Sequence, residues 1–129
     1  VNKISITEYE REDFENSILI NVEHPMLYNF ISNYERMWIA AKDLIYKKLE
    51  SYRTSEGLSE LTIFAYLQRK HHVIDPTQYL KIVEIISLVN LFKNGKEKII
   101  SMGEIKVLNR FLTETAVFFE NKQVEKTQN

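Results

Sequence analysis

Residues 75–120 read DPTQYLKIVEIISLVNLFKNGKEKIISMGEIKVLNRFLTETAVFFE, and this stretch decides the fold. Asp75-Pro76 is a helix start: aspartate accepts hydrogen bonds from free backbone amides, and proline at the first helical position gives up no useful donor. From Tyr79 to Phe92 the chain is almost wholly apolar, with Lys81, Glu84 and Ser87 leaving a narrow polar strip. A helix apolar on nearly every side is expected in the middle of a bundle. It breaks at Lys93-Asn94-Gly95, and a second helix restarts at Ser101, where Ser101-Met102-Gly103-Glu104 has the spacing of a capping box. That helix carries Ile105, Leu108, Phe111, Leu112, Thr115, Ala116, Phe118 and Phe119 at helical steps, which predicts an inward face. The stretch is a helical hairpin with a polar elbow.

Working outward, Leu27, Phe30, Ile31, Tyr34, Met37, Trp38, Ala41, Leu44, Ile45, Leu49 and Tyr52 recur at three- and four-residue steps after Pro25. They predict a long amphipathic helix of roughly seven turns, its solvated face marked by Glu35, Lys42, Asp43, Lys47 and Glu50. Thr54-Ser55-Glu56-Gly57 ends it, since glycine takes the left-handed conformation of a helix cap. A shorter helix from Ser59 to about Lys70 buries Leu61, Phe64, Ala65 and Leu67, or a subset of them. Near the start, Thr7 reads as an N-cap followed by Glu8, Glu10 and Glu12, which predicts a first helix over 8–20. Residues from about Lys122 to Asn129 read as a frayed tail. The expected fold is all-α: one domain over 1–129, an antiparallel four-helix bundle with an additional N-terminal helix.

At 129 residues with 44% hydrophobic side chains, the chain can bury one core without covalent staples. It has no cysteine, which excludes a disulfide framework, a thiolate metal cluster and a cysteine nucleophile, and fits a reducing, cytoplasmic setting. No apolar run approaches the ~20 residues of a membrane span, and residues 1–20 carry acids where a signal peptide has a basic start. A net charge of -1 argues against a general nucleic-acid binder, because affinity for phosphate backbones accumulates through Lys and Arg. Eleven acids face seven bases in residues 1–60, and seven acids face ten bases in 61–129, a mild asymmetry that solubility explains.

The chemistry-bearing residues are sparse. His71-His72 is a histidine pair whose members point ~100° apart on a helix, a poor arrangement for one metal, and it reads as a solvated helix end beside Arg69-Lys70. Glu8, Glu10, Glu12, Asp13 and Glu15 lack the spacing of a calcium loop and read as an exposed acidic face. Trp38 lies in an apolar stripe and reads as core. Asn94-Gly95-Lys96 lacks the first glycine and the preceding strand of a phosphate loop. No catalytic, cofactor-binding or metal-ligating set emerges. The one surface cluster that stands out is the elbow, where Lys93, Asn94, Lys96 and Lys98 are candidate contacts for phosphate or an acidic protein.

The run HVIDPTQYLKIVEIISLVNLFKNGKEKIISMGEIKVLNRFLTETAVFF, within residues 72–120, resembles the last two helices of the HEPN superfamily of small helical bundles. In that family an isoleucine-rich helix ends in an arginine-asparagine pair, a histidine follows about six positions later, and a helix of the "is-x-x-ei" type comes next. Asn94 matches the asparagine, Lys93 stands where the arginine would, and the histidine position falls near Lys98 or Ile99. The resemblance implies that catalytic members cleave RNA with the arginine and histidine at a dimer interface. Lysine makes no planar bidentate phosphate contact and needs a large pKa shift to act as an acid or base, so the departures imply a non-catalytic member.

The expected function is therefore a non-catalytic interaction or regulatory module, working through protein–protein contacts as a homodimer or on a partner. One alternative is a HEPN-like ribonuclease or toxin with a drifted motif, using Lys93, Asn94 and His71 or His72. Another is a sensor that holds an apolar ligand between its helices.

Overall fold

The computed structural model describes residues 17–21, 24–49 and 58–122. The hairpin at its heart forms as its local chemistry dictates. Helix α3 (Pro76–Lys93) opens on Asp75, whose Oδ1 accepts the Gln78 amide at 2.7 Å while Gln78 Oε1 accepts the Asp75 amide at 2.9 Å. It closes by a Schellman motif: the Gly95 amide donates to Phe92 O at 3.0 Å and the Lys96 amide to Leu91 O at 3.2 Å. Gly95 sits at φ +75°, a conformation in which a side chain would strain the backbone. Helix α4 (Met102–Glu120) opens on Ser101, whose Oγ accepts the Glu104 amide at 3.1 Å, which is the serine half of the expected box.

Before the hairpin, α1 (Pro25–Asp43) continues over Leu44–Leu49 in wider, π-type turns, and α2 (Glu60–Ala65) continues likewise over Tyr66–Lys70. The second widening ends with the His71 amide bonded five residues back, to Tyr66 O at 3.0 Å. The elements are thus mostly helical, four helices in all among the described residues. No described helix is long and apolar enough to cross a membrane.

The core is continuous and contributed by every element. Phe30, Tyr34, Met37 and Ala41 of α1, Ile63 and Phe64 of α2, Ile82 and Ile85 of α3, and Leu112 and Ala116 of α4 are all buried. Phe30 meets Phe92 edge-on at 6.3 Å between centroids. Trp38, half-buried as a near-core residue, packs on Phe64 at 5.7 Å, and the Lys42 ammonium lies over its ring at 5.1 Å.

Three expectations need correction. Ser17–Ile20, expected at the end of a first helix, is a strand, β1, paired antiparallel with β2 (Lys98–Ser101). Two β-branched isoleucines flanking Leu19 suit a pleated surface better than a helix, and the pairing buries Ile20 and Ile100. Residues 8–16 of that expected helix, the Thr54–Gly57 stop and the tail beyond Lys122 lie outside the described residues. The second correction is to the antiparallel arrangement. Asn33 bonds Asn109 at 3.1 Å, Arg36 bonds Glu120, and Lys48 bonds Lys122 O at 3.3 Å, so α1 and α4 run in the same direction. α4 follows β2 without a break, and α1 begins five residues after the end of β1.

The backbones of α1 and α4 approach most closely. Both helices bury small residues, Ala40 and Ala41 on α1 and Gly103, Thr115 and Ala116 on α4, whereas α3 buries only isoleucine, leucine, valine and phenylalanine, which hold neighbouring backbones apart. Its outer face leaves Leu80 65% exposed. Third, Phe118 turns partly outward, and the Lys122 ammonium covers its ring at 5.5 Å.

Candidate functional site

The elbow is built by the end of α3, the Gly95 turn and the start of β2, so Lys93, Asn94, Lys96 and Lys98 project from one short continuous stretch. All four are exposed. They do not act alike. Lys93 Nζ lies 3.9 Å from Glu35 Oε1 on α1, a solvent-facing pair of modest energy. Asn94 caps α3, its amide donating to Asn90 O at 3.0 Å. Lys98 enters the strand pair opposite Ile20.

Beneath Lys93 lies a polar cluster with no sequence signature. The buried Tyr34 hydroxyl donates to Glu60 Oε2, tying α1 to the first turn of α2. Burial pushes the Glu60 carboxyl above the usual carboxylate range, and the Lys93 ammonium pulls it part of the way back. Glu60 begins a helix capped by Ser59, whose Oγ accepts the Thr62 amide at 3.1 Å. A glutamate in a first turn is ordinary. Only tertiary contact with Tyr34 and Lys93 makes it unusual.

The strand pair adds an apolar element to this end. Its inner face, Ile18, Ile20 and Ile100, packs on the core. Its outer face is Leu19 opposite Ile99, 46% and 67% exposed. The β-branched pairs in Ser17–Ile20 and Lys98–Ser101 are the signal that marks these strands, and four residues hold too few alternations to make it decisive.

The histidines stand elsewhere. His71 closes α2, and His72 follows in the left-handed region at φ +53°. They lie at the start of α3, and Lys93 and Asn94 at its end, so its 18 residues separate them by about 27 Å. Within one chain they form no joint site with the elbow. His72 instead borders an open depression of about 400 Å³ with Gln68, Val73, Ile74, Asp75 and Gln78. A second, of about 210 Å³, lies between the end of α1 and α4 beside Asp43, Lys47, Lys48 and Glu120. Both are open depressions with walls of mixed polar and apolar character, unlike the enclosed apolar chamber of a lipid sensor.

Across the molecule, Arg36 grips Glu120 with two bonds, Nε to Oε2 at 3.0 Å and a terminal nitrogen to Oε1 at 2.7 Å. The hydrogen bond from Arg36 holds the Glu120 carboxyl below its usual range. Among the described residues no three His, Cys, Asp or Glu side chains come together as a metal site would need. Comparison of the chain with family models, with curated proteins and with solved structures returns no match.

Proposed function

We propose that this domain is a non-catalytic interaction module, working in the cytoplasm as a homodimer or on a protein partner, and that its binding end is the elbow with the strand pair. The observation that carries this reading is the exposed apolar pair Leu19 and Ile99 on the outer face of the strand pair, with exposed Lys96 and Lys98 in the adjoining stretch of chain. Apolar area supplies association energy, and the charges beside it select and steer an acidic counterpart. Lys93 is already engaged by Glu35 and Glu60, which leaves Lys96 and Lys98 as the outward cations of the elbow.

A polyglutamate peptide is a direct probe of that charge. Titration calorimetry at low salt should show binding that weakens in the Lys96→Ala/Lys98→Ala double variant and fades as salt is added. Binding unchanged by the double variant would remove the elbow from the interaction surface. The same preparation should leave single-stranded RNA intact. Cleavage that disappears in Asn94→Ala would promote the HEPN-like ribonuclease reading over this one.

A further inference from the structure

The first lysine of the elbow is held by carboxylates from two other helices. Lys93 Nζ lies 3.9 Å from Glu35 Oε1 on α1, and the same ammonium favours the charged form of Glu60 on α2. Consecutive residues of α1 organise the cluster: the buried Tyr34 donates its hydroxyl to Glu60, and Glu35, next to it, meets Lys93 at the surface. One ammonium shared by two carboxylates leaves a negative charge uncompensated where the lysine-bearing stretch leaves α3. An acidic partner drawn to Lys96 and Lys98 meets that charge in the same short stretch of chain.

We propose that Glu35 and Glu60 clamp Lys93 as an autoinhibitory contact: with both carboxylates ionised Lys93 is masked from an acidic partner, and neutralisation of Glu60 frees it to bind alongside Lys96 and Lys98. This rests on the interaction reading above and names its regulation. Glu60 is the half of the clamp that burial loosens, because leaving water disfavours its charge, and Lys93 opposes that effect only in part. The groups that face Glu60 from the helices packed against it are Tyr34 of α1 and Lys93 of α3, and Glu35 of α1 joins them through Lys93. Tyr34 holds the side chain in place in either state, since a protonated carboxyl still has an oxygen to accept the hydroxyl. The coupling is reciprocal: a partner that draws Lys93 away removes the charge that keeps Glu60 ionised, so the partner and a proton bind together.

Glu60→Gln copies the protonated state and keeps an oxygen for the Tyr34 hydroxyl. A peptide of sulfotyrosines, whose sulfates stay ionised in mild acid, is the acidic probe, titrated calorimetrically at low salt. Near neutral pH Glu60→Gln should bind it roughly threefold or more tighter than the unmodified chain does. Lys93→Ala in that background should remove the gain, because the gain comes from the freed ammonium. Glu84→Gln deletes a carboxylate about 14 Å along α3 from Lys93 and should not reproduce it. Lowering the pH from about 7 to about 5 should tighten binding by the unmodified chain more than by Glu60→Gln, which carries the same histidines. Circular dichroism checks that every variant keeps the wild-type helix content. Equal affinity of the unmodified chain and Glu60→Gln, a gain that survives Lys93→Ala, or an equal gain in Glu84→Gln overturns the clamp. If in those cases Lys96→Ala/Lys98→Ala still abolishes binding, the elbow remains the interaction surface. If neither the unmodified chain nor Glu60→Gln binds the peptide, the elbow reading falls together with the clamp.

Discussion

Replacing Tyr34 with phenylalanine removes one hydroxyl from a fully packed site and leaves the ring in place. Tyr34 is 1% exposed, and its hydroxyl donates to Glu60 Oε2, joining α1 to α2. A hydrogen bond to a charged acceptor contributes about 1.5–3 kcal/mol when both groups are buried. Glu60 is only half-buried, so water replaces part of the lost bond, and the expected cost of Tyr34→Phe near neutral pH is about 1 kcal/mol. For a domain of this size that corresponds to a melting point lower by roughly 3–6 °C. The pH dependence has a definite sign. The folded-state pKa of Glu60 is raised, so the stability linked to its protonation is fully present below the unfolded value of about 4.3 and is lost as pH rises through the folded value. Without the hydroxyl the carboxylate loses a donor, its folded pKa rises further, and the loss with rising pH steepens. Urea titrations followed by circular dichroism should show a smaller difference between variant and wild type in acid than near neutrality. Glu60→Gln should abolish that difference. Equal stability near pH 7, or a larger gap in acid, would refute the placement of this bond.

Ile86→Ala should cost about 2–5 kcal/mol in the same titrations, because α3 buries that side chain and little around it can collapse. Ser101→Ala should lower stability by roughly 1 kcal/mol, since the Glu104 amide loses its acceptor, and thermal melts check it. Glu120→Gln should be less stable than wild type near neutral pH and match it in strong acid: the folded pKa of Glu120 is depressed, so its contribution is present above the unfolded value and lost as pH falls through the folded one.

What could be read in the sequence was local. Asp75-Pro76, the Ser101 cap and the Asn94-Gly95 turn each satisfy backbone groups within a few residues, so residue types and spacing place them directly. The strand pair was hidden because Ser17 and Ser101 meet across most of the chain, and each strand alone gives too little alternation to outweigh a helical start. The direction of α1 relative to α4 is likewise set by contacts between residues far apart in the chain, such as Asn33 with Asn109 and Arg36 with Glu120. The Tyr34–Glu60 bond joins residues 26 positions apart, and neither stands out in its own stretch. At the elbow, the lysines were legible from sequence, but the Leu19 and Ile99 pair beside them was not.

Amide-resolved NMR on a nitrogen-labelled sample, followed through a dilution series, tests most directly whether the elbow end is where this domain binds. Shifts that change with concentration should be confined to Ser17–Ile20, Lys98–Ser101 and the 93–97 turn between α3 and β2. Changes centred on Leu80 and Ser87 of α3, with the strand pair unmoved, would contradict it.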